Sequence, residues 1–206
     1  MDSKEYSYVY KAIKSSIYEL SNTSDNSYVK AQLANLRNSI GKEIGEFTDV
    51  WPILLKYIPD EYIGRKAELS FGEQAVLHTM QLFALMNQGS SEKLKAFQRE
   101  SPWENMGTSF SELRNQNGGS DKAAIDKRFN SMIASETYDE FLYHLRQMIR
   151  LLKSKMKGEA GVDFPKLGED LFMFLIGKED EVKISWSRQY YRIKNTSEEN
   201  TEGEKK

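Results

Sequence analysis

Apolar residues that recur every three or four positions along most of the chain are the feature that most constrains its fold. One such series, in a segment that Gly41 can end in a left-handed cap, consists of Val29, Leu33, Leu36 and Ile40. Proline occurs only four times in 206 residues, and glycines tend to follow the periodic segments. Because this punctuation is typical of helices joined by short turns, the sequence predicts an all-α protein.

At three predicted helix starts a Ser or Thr stands three positions before a glutamate, an arrangement that caps helix N-termini. The pairs are Ser70 with Glu73, Ser109 with Glu112, and Thr137 with Glu140. The first pair precedes an apolar segment over residues 76–86, which predicts a buried central helix. The last pair begins the longest periodic segment, whose inward positions are Phe141, Leu145, Met148, Leu152 and Met156.

The order of these segments predicts two small helical bundles and a tail. Residues 89–108 are polar and charged, so we place a connection there, between an N-terminal bundle over residues 1–100 and a C-terminal bundle over residues 101–194. The segment over residues 182–192 is compatible with either a short extended run or a last helix, and the spacing of Trp186 and Tyr190 favours the helix. Residues 195–206 are polar and rich in glutamate, which predicts a disordered acidic tail.

Composition and hydropathy exclude several classes of protein. The formal net charge is only −2, so any nucleic-acid surface must be local. The chain contains no cysteine, which excludes disulfides, thiolate zinc sites and cysteine nucleophiles and is typical of a reducing compartment. The N-terminus has no apolar run like that of a secretory signal, and no apolar stretch approaches the roughly 20 residues that cross a bilayer. We therefore expect a cytoplasmic protein that does not engage a membrane.

A cationic stripe on the longest predicted helix is the most informative candidate site. At 100° per residue its four bases fall within a sector of roughly 60°; they are Arg146, Arg150, Lys153 and Lys157. One explanation is that bases near a helix C-terminus complement its dipole. The alternative is contact with phosphates.

Other bases can extend this stripe if the helices pack suitably, although the sequence alone does not bring them together. They are Arg114, Lys127 and Arg128 in the second half and Arg37 and Lys42 in the first. Near the end of the folded region, Arg188 and Arg192 alternate with Tyr190 and Tyr191, as in a surface on which bases stack, but a core position for Tyr190 is the alternative.

Residues for catalysis or metal binding are scarce. The chain has two histidines, His78 and His144, and each lies in an apolar helical segment without the context of a catalytic triad. Glu140 and His144 are four positions apart, which is not the Glu-x-x-His spacing of a di-iron bundle. No P-loop, dinucleotide fingerprint or nucleophile elbow occurs. We therefore predict a protein without enzymatic activity, metal or cofactor.

Taken in order, short motifs resemble the Cse2 or CasB family, the small subunit of the type I-E CRISPR surveillance complex called Cascade. In the first half they are Leu33-Ala34-Asn35-Leu36-Arg37 with Gly41-Lys42, Val50-Trp51-Pro52 with Tyr62-Ile63-Gly64, and the apolar segment from Val76 to Gly89. In the second half they are Gly107-Thr108-Ser109-Phe110, similar to a Gly-x-Ser turn of the family, Lys127-Arg128-Phe129-Asn130, His144-Leu145-Arg146 with Ile149-Arg150-Leu151-Leu152, and Trp186-Ser187-Arg188-Gln189-Tyr190-Tyr191. Their order and spacing, over nearly the whole folded chain, carry the resemblance.

The resemblance implies an all-helical, two-bundle, non-catalytic subunit of an RNA-guided complex in antiviral defence. It implies four kinds of partner: a second copy of the chain, the Cas7-type backbone subunits that hold the CRISPR guide RNA, the large subunit, and target DNA with its displaced single strand. The nucleic-acid contacts that it implies are Arg37, Lys42, Arg114, Arg128, Arg146 and Arg150, with Lys127, Lys153, Lys157 and Arg188 as further candidates.

Two other classes of function compete with this one. A helical transcription regulator would read duplex DNA with the helix that carries Arg146, and would bind in a sequence-specific way by itself. A metal-dependent hydrolase or nuclease would use acidic residues, but the sequence lacks the motifs of such a site.

Overall fold

The computed structural model describes residues 4–89, 94, 104–156 and 161–192. Lys157, the tail over residues 195–206 and most of the connection that we placed at residues 89–108 lie outside this range. Throughout the described residues the regular structure is helical, which confirms the all-α prediction. None of the helices described is both long and apolar enough to cross a membrane.

Nine α-helices occur in the described part of the chain. They are α1 (Lys4–Asn22), α2 (Asn26–Asn38), α3 (Trp51–Leu55), α4 (Phe71–Met86), α5 (Met106–Asn115), α6 (Lys122–Ile133), α7 (Tyr138–Met156), α8 (Phe164–Leu175) and α9 (Glu179–Tyr191). The ambiguous segment over residues 182–192 is thus largely helical. Its two spaced aromatic residues, Trp186 and Tyr190, are fully buried.

Local sequence signals explain where several helices begin and end. Ser70 and Glu73 form the capping box that the sequence predicts: Glu73 N donates to Ser70 Oγ at 3.3 Å, and Ser70 N donates to Glu73 Oε2 at 2.6 Å. Pro52 lies in the first turn of α3, where its missing N–H costs nothing. Gly41 adopts a left-handed φ of 76° shortly after α2.

The prediction of a capping box at Ser109 and Glu112 is wrong. Helix α5 begins four residues earlier than that box would place it, and Asn105 caps it by accepting a hydrogen bond from Gly107 N at 2.9 Å. Ser109 is buried inside the helix and donates to the Gly161 carbonyl at 2.8 Å. Residues 107–110 therefore lie in the first turns of a helix, not in a loop.

Helix α8 links the two halves of the chain. It packs mainly against α1 and α4 of the first half, and it also contacts α9 of the second. Phe164 of α8 meets Phe83 of α4 edge to face, with ring centroids 5.2 Å apart. Buried residues of both halves belong to one apolar cluster. The division into bundles at residue 100 stays a prediction.

Candidate nucleic-acid interface

Helix α7 carries the cationic ridge, a name that we use for Arg146, Arg150 and Lys153. The inward positions Phe141, Leu145, Met148 and Leu152 are buried as the sequence predicts. That burial turns the opposite face outward. Arg150 is exposed, whereas Arg146 and Lys153 are partly buried where α7 packs against α4.

Arg37 from the first half of the chain joins the ridge at the C-terminal end of α4. Its Nη1 atom donates to the Ala84 carbonyl at 3.3 Å, and Lys153 Nζ donates to the Leu85 carbonyl at 3.2 Å and to that of Gln88. The last carbonyls of a helix lack intrahelical partners and carry partial negative charge. Lys153, which stands in the last turn of its own helix, therefore also complements the dipole of α4.

Lys153 lies close enough to Arg37 for the two charges to interact. Burial lowers the pKa of Lys153, and the charge of Arg37 lowers it further. The partial negative charge on the carbonyl oxygens of α4 offsets the repulsion between the two cations. Packing has thus brought residues 116 positions apart in the chain into one basic surface.

Arg146 lies beside two partly buried aromatic side chains. His78 Nδ1 of α4 and the Tyr138 hydroxyl at the start of α7 share a hydrogen bond of 2.8 Å. Burial lowers the pKa of the Arg146 guanidinium; the nearby Tyr138 opposes this, and the charge of Arg150 adds to it. Arg146 Nε has no hydrogen-bond partner among the described residues. A guanidinium partly shielded from water interacts more strongly with an anion than an exposed one does.

His78 is held in its neutral form, so it gives a pH-dependent prediction. Burial, with the charge of Arg146, lowers the pKa of His78 to about 3. The unfolded chain takes up a proton near the ordinary pKa of about 6.5, whereas the folded chain does not, so stability is lost as pH falls below that value. From pH 7 to pH 5 this loss is about 2 kcal/mol.

We expect His78→Asn, which can keep a polar partner for Tyr138, to remove most of that part of the pH dependence. Urea unfolding of both proteins at pH 7 and pH 5 measures the difference directly. Equal losses of stability in the two proteins would show that His78 is not buried as a neutral side chain.

Lys127 and Arg128 lie exposed on α6, across a cleft from Tyr143, His144 and Gln147 of α7. Tyr143 was not among the site residues that we predicted from the sequence. Its position in the sequence could have indicated it, because at 100° per residue Tyr143 falls roughly 60° from Arg146 on the exposed face of the same helix.

Arg114 is engaged within the protein. Its Nε and Nη2 atoms donate to the Asp126 carboxylate at 2.6 and 3.3 Å, and its guanidinium lies 5.3 Å from the centroids of the Tyr190 and Tyr191 rings. Although burial acts to raise it, the hydrogen bonds from Arg114 and Tyr190 hold the pKa of Asp126 below its ordinary value. Arg114 thus joins α5 to α6 and α9.

The remaining candidates are not joined to the ridge by any contact within the described residues. Lys42 is exposed beyond the end of α2, and Arg188 is exposed on α9. Tyr190 is a core residue, which leaves Tyr191, 45% exposed, as the aromatic side chain at the surface of that segment.

A histidine and a glutamate approach each other on α7. His144 Nε2 lies 3.9 Å from Glu140 Oε1 on the same face of α7. Across the described ranges, no group of three or more His, Asp or Glu side chains could hold a metal ion.

Fold and site together define a class: an all-helical protein with a basic surface where α2, α4 and α7 meet. The sequence model of the family described as CRISPR-associated protein Cse2 matches residues 32–191. This match spans more than half of the chain, and the protein therefore belongs to the Cse2 family.

Solved structures agree with this fold. CasB from Thermobifida fusca is 20% identical, with a TM-score of 0.68 over 90% of this chain and 98% of that one. CasB from M. ruber is 21% identical, with a TM-score of 0.63 over 87% and 92%. A chain of a structure described as a CRISPR RNA-guided surveillance complex is 16% identical, with a TM-score of 0.63 over 89% and 94%. Among curated proteins, no sequence matches this chain.

Proposed function

We propose that this chain is a non-catalytic small subunit of an RNA-guided type I-E Cascade complex in antiviral defence. In this role it binds nucleic-acid backbone through basic residues and stabilises target DNA and the displaced strand of the R-loop. The observation that carries the proposal is the convergence of Arg37 and Lys153 on the last turn of α4, which extends the ridge of α7 across two parts of the chain. Membership of the Cse2 family supports it.

The partners follow from the same proposal. They are the guide RNA with its Cas7-type backbone subunits, the large subunit, a second copy of this chain, and target DNA, all in the cytoplasm. The proposed contacts remain Arg37, Lys42, Lys127, Arg128, Arg146, Arg150, Lys153, Lys157 and Arg188. Arg114 also remains a proposed contact, although its guanidinium already forms an ion pair with Asp126.

The typical affinity of non-specific phosphate binding is consistent with a subunit that acts only within a larger complex. Non-specific binding to DNA typically has a Kd of about 10⁻⁴ to 10⁻⁶ M, so a chain with a net charge of −2 should bind poorly by itself. Protein partners that hold the same cations beside a displaced strand give an effective concentration of about millimolar. Because R-loop formation is nearly balanced in free energy, a few backbone contacts can tip it.

The test compares complexes purified with and without this subunit. We expect the chain to copurify with larger subunits and a short guide RNA. We also expect its omission to increase the rate at which target DNA dissociates while the guide RNA content is unchanged. Absence of guide RNA, or sequence-specific binding of duplex DNA by the isolated chain, would contradict the proposal.

A further inference from the structure

A cleft between α6 and α7 borders the cationic ridge and is not explained by phosphate binding alone. Its volume is about 390 Å³, within the range of roughly 300–1,000 Å³ in which proteins hold small ligands. Lys127 and Arg128 of α6 line one wall, and Tyr143, His144 and Gln147 of α7 line the other. The buried Met148 adds an apolar part to the lining.

Tyr143 offers this cleft an aromatic ring that the protein does not cover. The residue is 56% exposed. Its ring meets that of His144 nearly edge to face, with centroids 5.4 Å apart and planes at 74°, and no ring among the described residues stacks on it in parallel. An exposed aromatic ring beside a cleft can serve as a platform on which a base stacks.

Cations stand on both sides of this ring. Neither the Lys127 ammonium nor the Arg128 guanidinium makes an ion pair within the described residues, and both side chains are exposed. On the other side, Arg150 of the ridge donates to Gln147 Oε1 at 3.5 Å and so connects the ridge to the cleft wall. An aromatic ring between two sets of cations is the arrangement that binds single-stranded nucleic acid, with a base on the ring and phosphates on the cations.

We propose that this cleft holds one unpaired base of single-stranded DNA, stacked on Tyr143, while Arg128 and Arg150 contact the flanking phosphates. The inference rests on the proposed function and adds a base-binding site to it. A base inside a duplex is stacked on both faces and cannot enter, so the cleft selects the displaced strand over paired DNA. Every base has a π-face, so the selection does not depend on sequence.

The test uses the assembled complex on target DNA and compares Tyr143→Ala with Tyr143→Phe. Tyr143→Ala removes the ring on which the base stacks, so we expect it to increase the dissociation rate of the displaced strand by about tenfold, toward the lower end of what such a contact contributes. Tyr143→Phe keeps the ring and should behave like the unaltered protein. Tyr143 is exposed, so neither change removes a core contact.

Abasic nucleotides placed one at a time in the displaced strand identify the base. At one position we expect the abasic strand to dissociate equally fast from the unaltered and Tyr143→Ala complexes, and ultraviolet light to crosslink the normal base at that position to Tyr143. A Tyr143→Ala complex that retains DNA normally, or whose defect persists with every abasic strand, would overturn the cleft proposal. If Arg150→Glu weakens retention in that case, the proposed backbone function stands; if Arg150→Glu is silent too, both fail.

Discussion

Reversing the charge at Arg146 and Arg150 is expected to lower the affinity of the assembled complex for target DNA by about tenfold at physiological salt. Each phosphate neutralised on a single strand contributes about 0.7 to the slope of log affinity against log salt concentration, so two lost contacts flatten that slope by about 1.4. Equilibrium binding at several salt concentrations measures both quantities. The guide RNA content should not change.

The control for this prediction is the double change Lys11→Glu and Lys14→Glu. It alters the net charge equally, and both side chains are exposed on α1, which packs mainly against α8 and α4. Arg146 is partly buried, so Arg150→Glu alone serves as the second variant, because it affects an exposed residue. A salt slope that is unchanged in both ridge variants, or equally changed in the α1 control, would rule out the ridge as the phosphate-binding surface.

Replacing Gly107 with alanine is expected to destabilise the fold by about 3 kcal/mol, although alanine normally favours a helix. A Cβ atom at this position would overlap the backbone carbonyl of Trp186 on α9, which cannot move aside as a flexible side chain can. The two helices would have to separate and so disturb the hydrogen bond of 2.8 Å from Asn105 Nδ2 to Ser185 Oγ. Urea unfolding measures the loss.

Gly45→Ala is the matched control. A Cβ atom added there meets nothing within 4 Å, and its φ is not in the left-handed region. We expect that variant to be neutral or slightly stabilised, by less than about 1 kcal/mol. If Gly107→Ala were as stable as Gly45→Ala, close contact between α5 and α9 would not be what requires glycine at residue 107.

Much of the fold was predictable because helix formation depends on spacing within one segment. The capping box of Ser70 and Glu73 and the buried stripe of α7 both arise from neighbours along the chain. The prediction at Ser109 failed because two groups competed to cap the same region. Asn105 prevailed, since starting the helix there places Gly107 against α9 and Ser109 against the Gly161 carbonyl.

The candidate site was predictable only in part. The periodicity of α7 placed Arg146, Arg150 and Lys153 on one side of a helix, and the structure confirms that placement. The sequence pattern did not indicate that Arg114 pairs with Asp126, twelve residues away, because this contact depends on how α5 packs against α6. The cleft beside Tyr143 likewise exists only where α6 lies against α7.

The helical class, most of the helices and the cationic stripe follow from interactions between residues three or four positions apart, so they can be predicted from the sequence. Which groups the cations contact depends on how the helices pack. The tertiary structure placed Lys153 and Arg37 on the carbonyls of α4, Arg146 beside His78 and Tyr138, and Arg150 at the open surface. The reason is physical: burial and unpaired carbonyls come from helices that are far apart in the chain, and no local pattern encodes which of them meet.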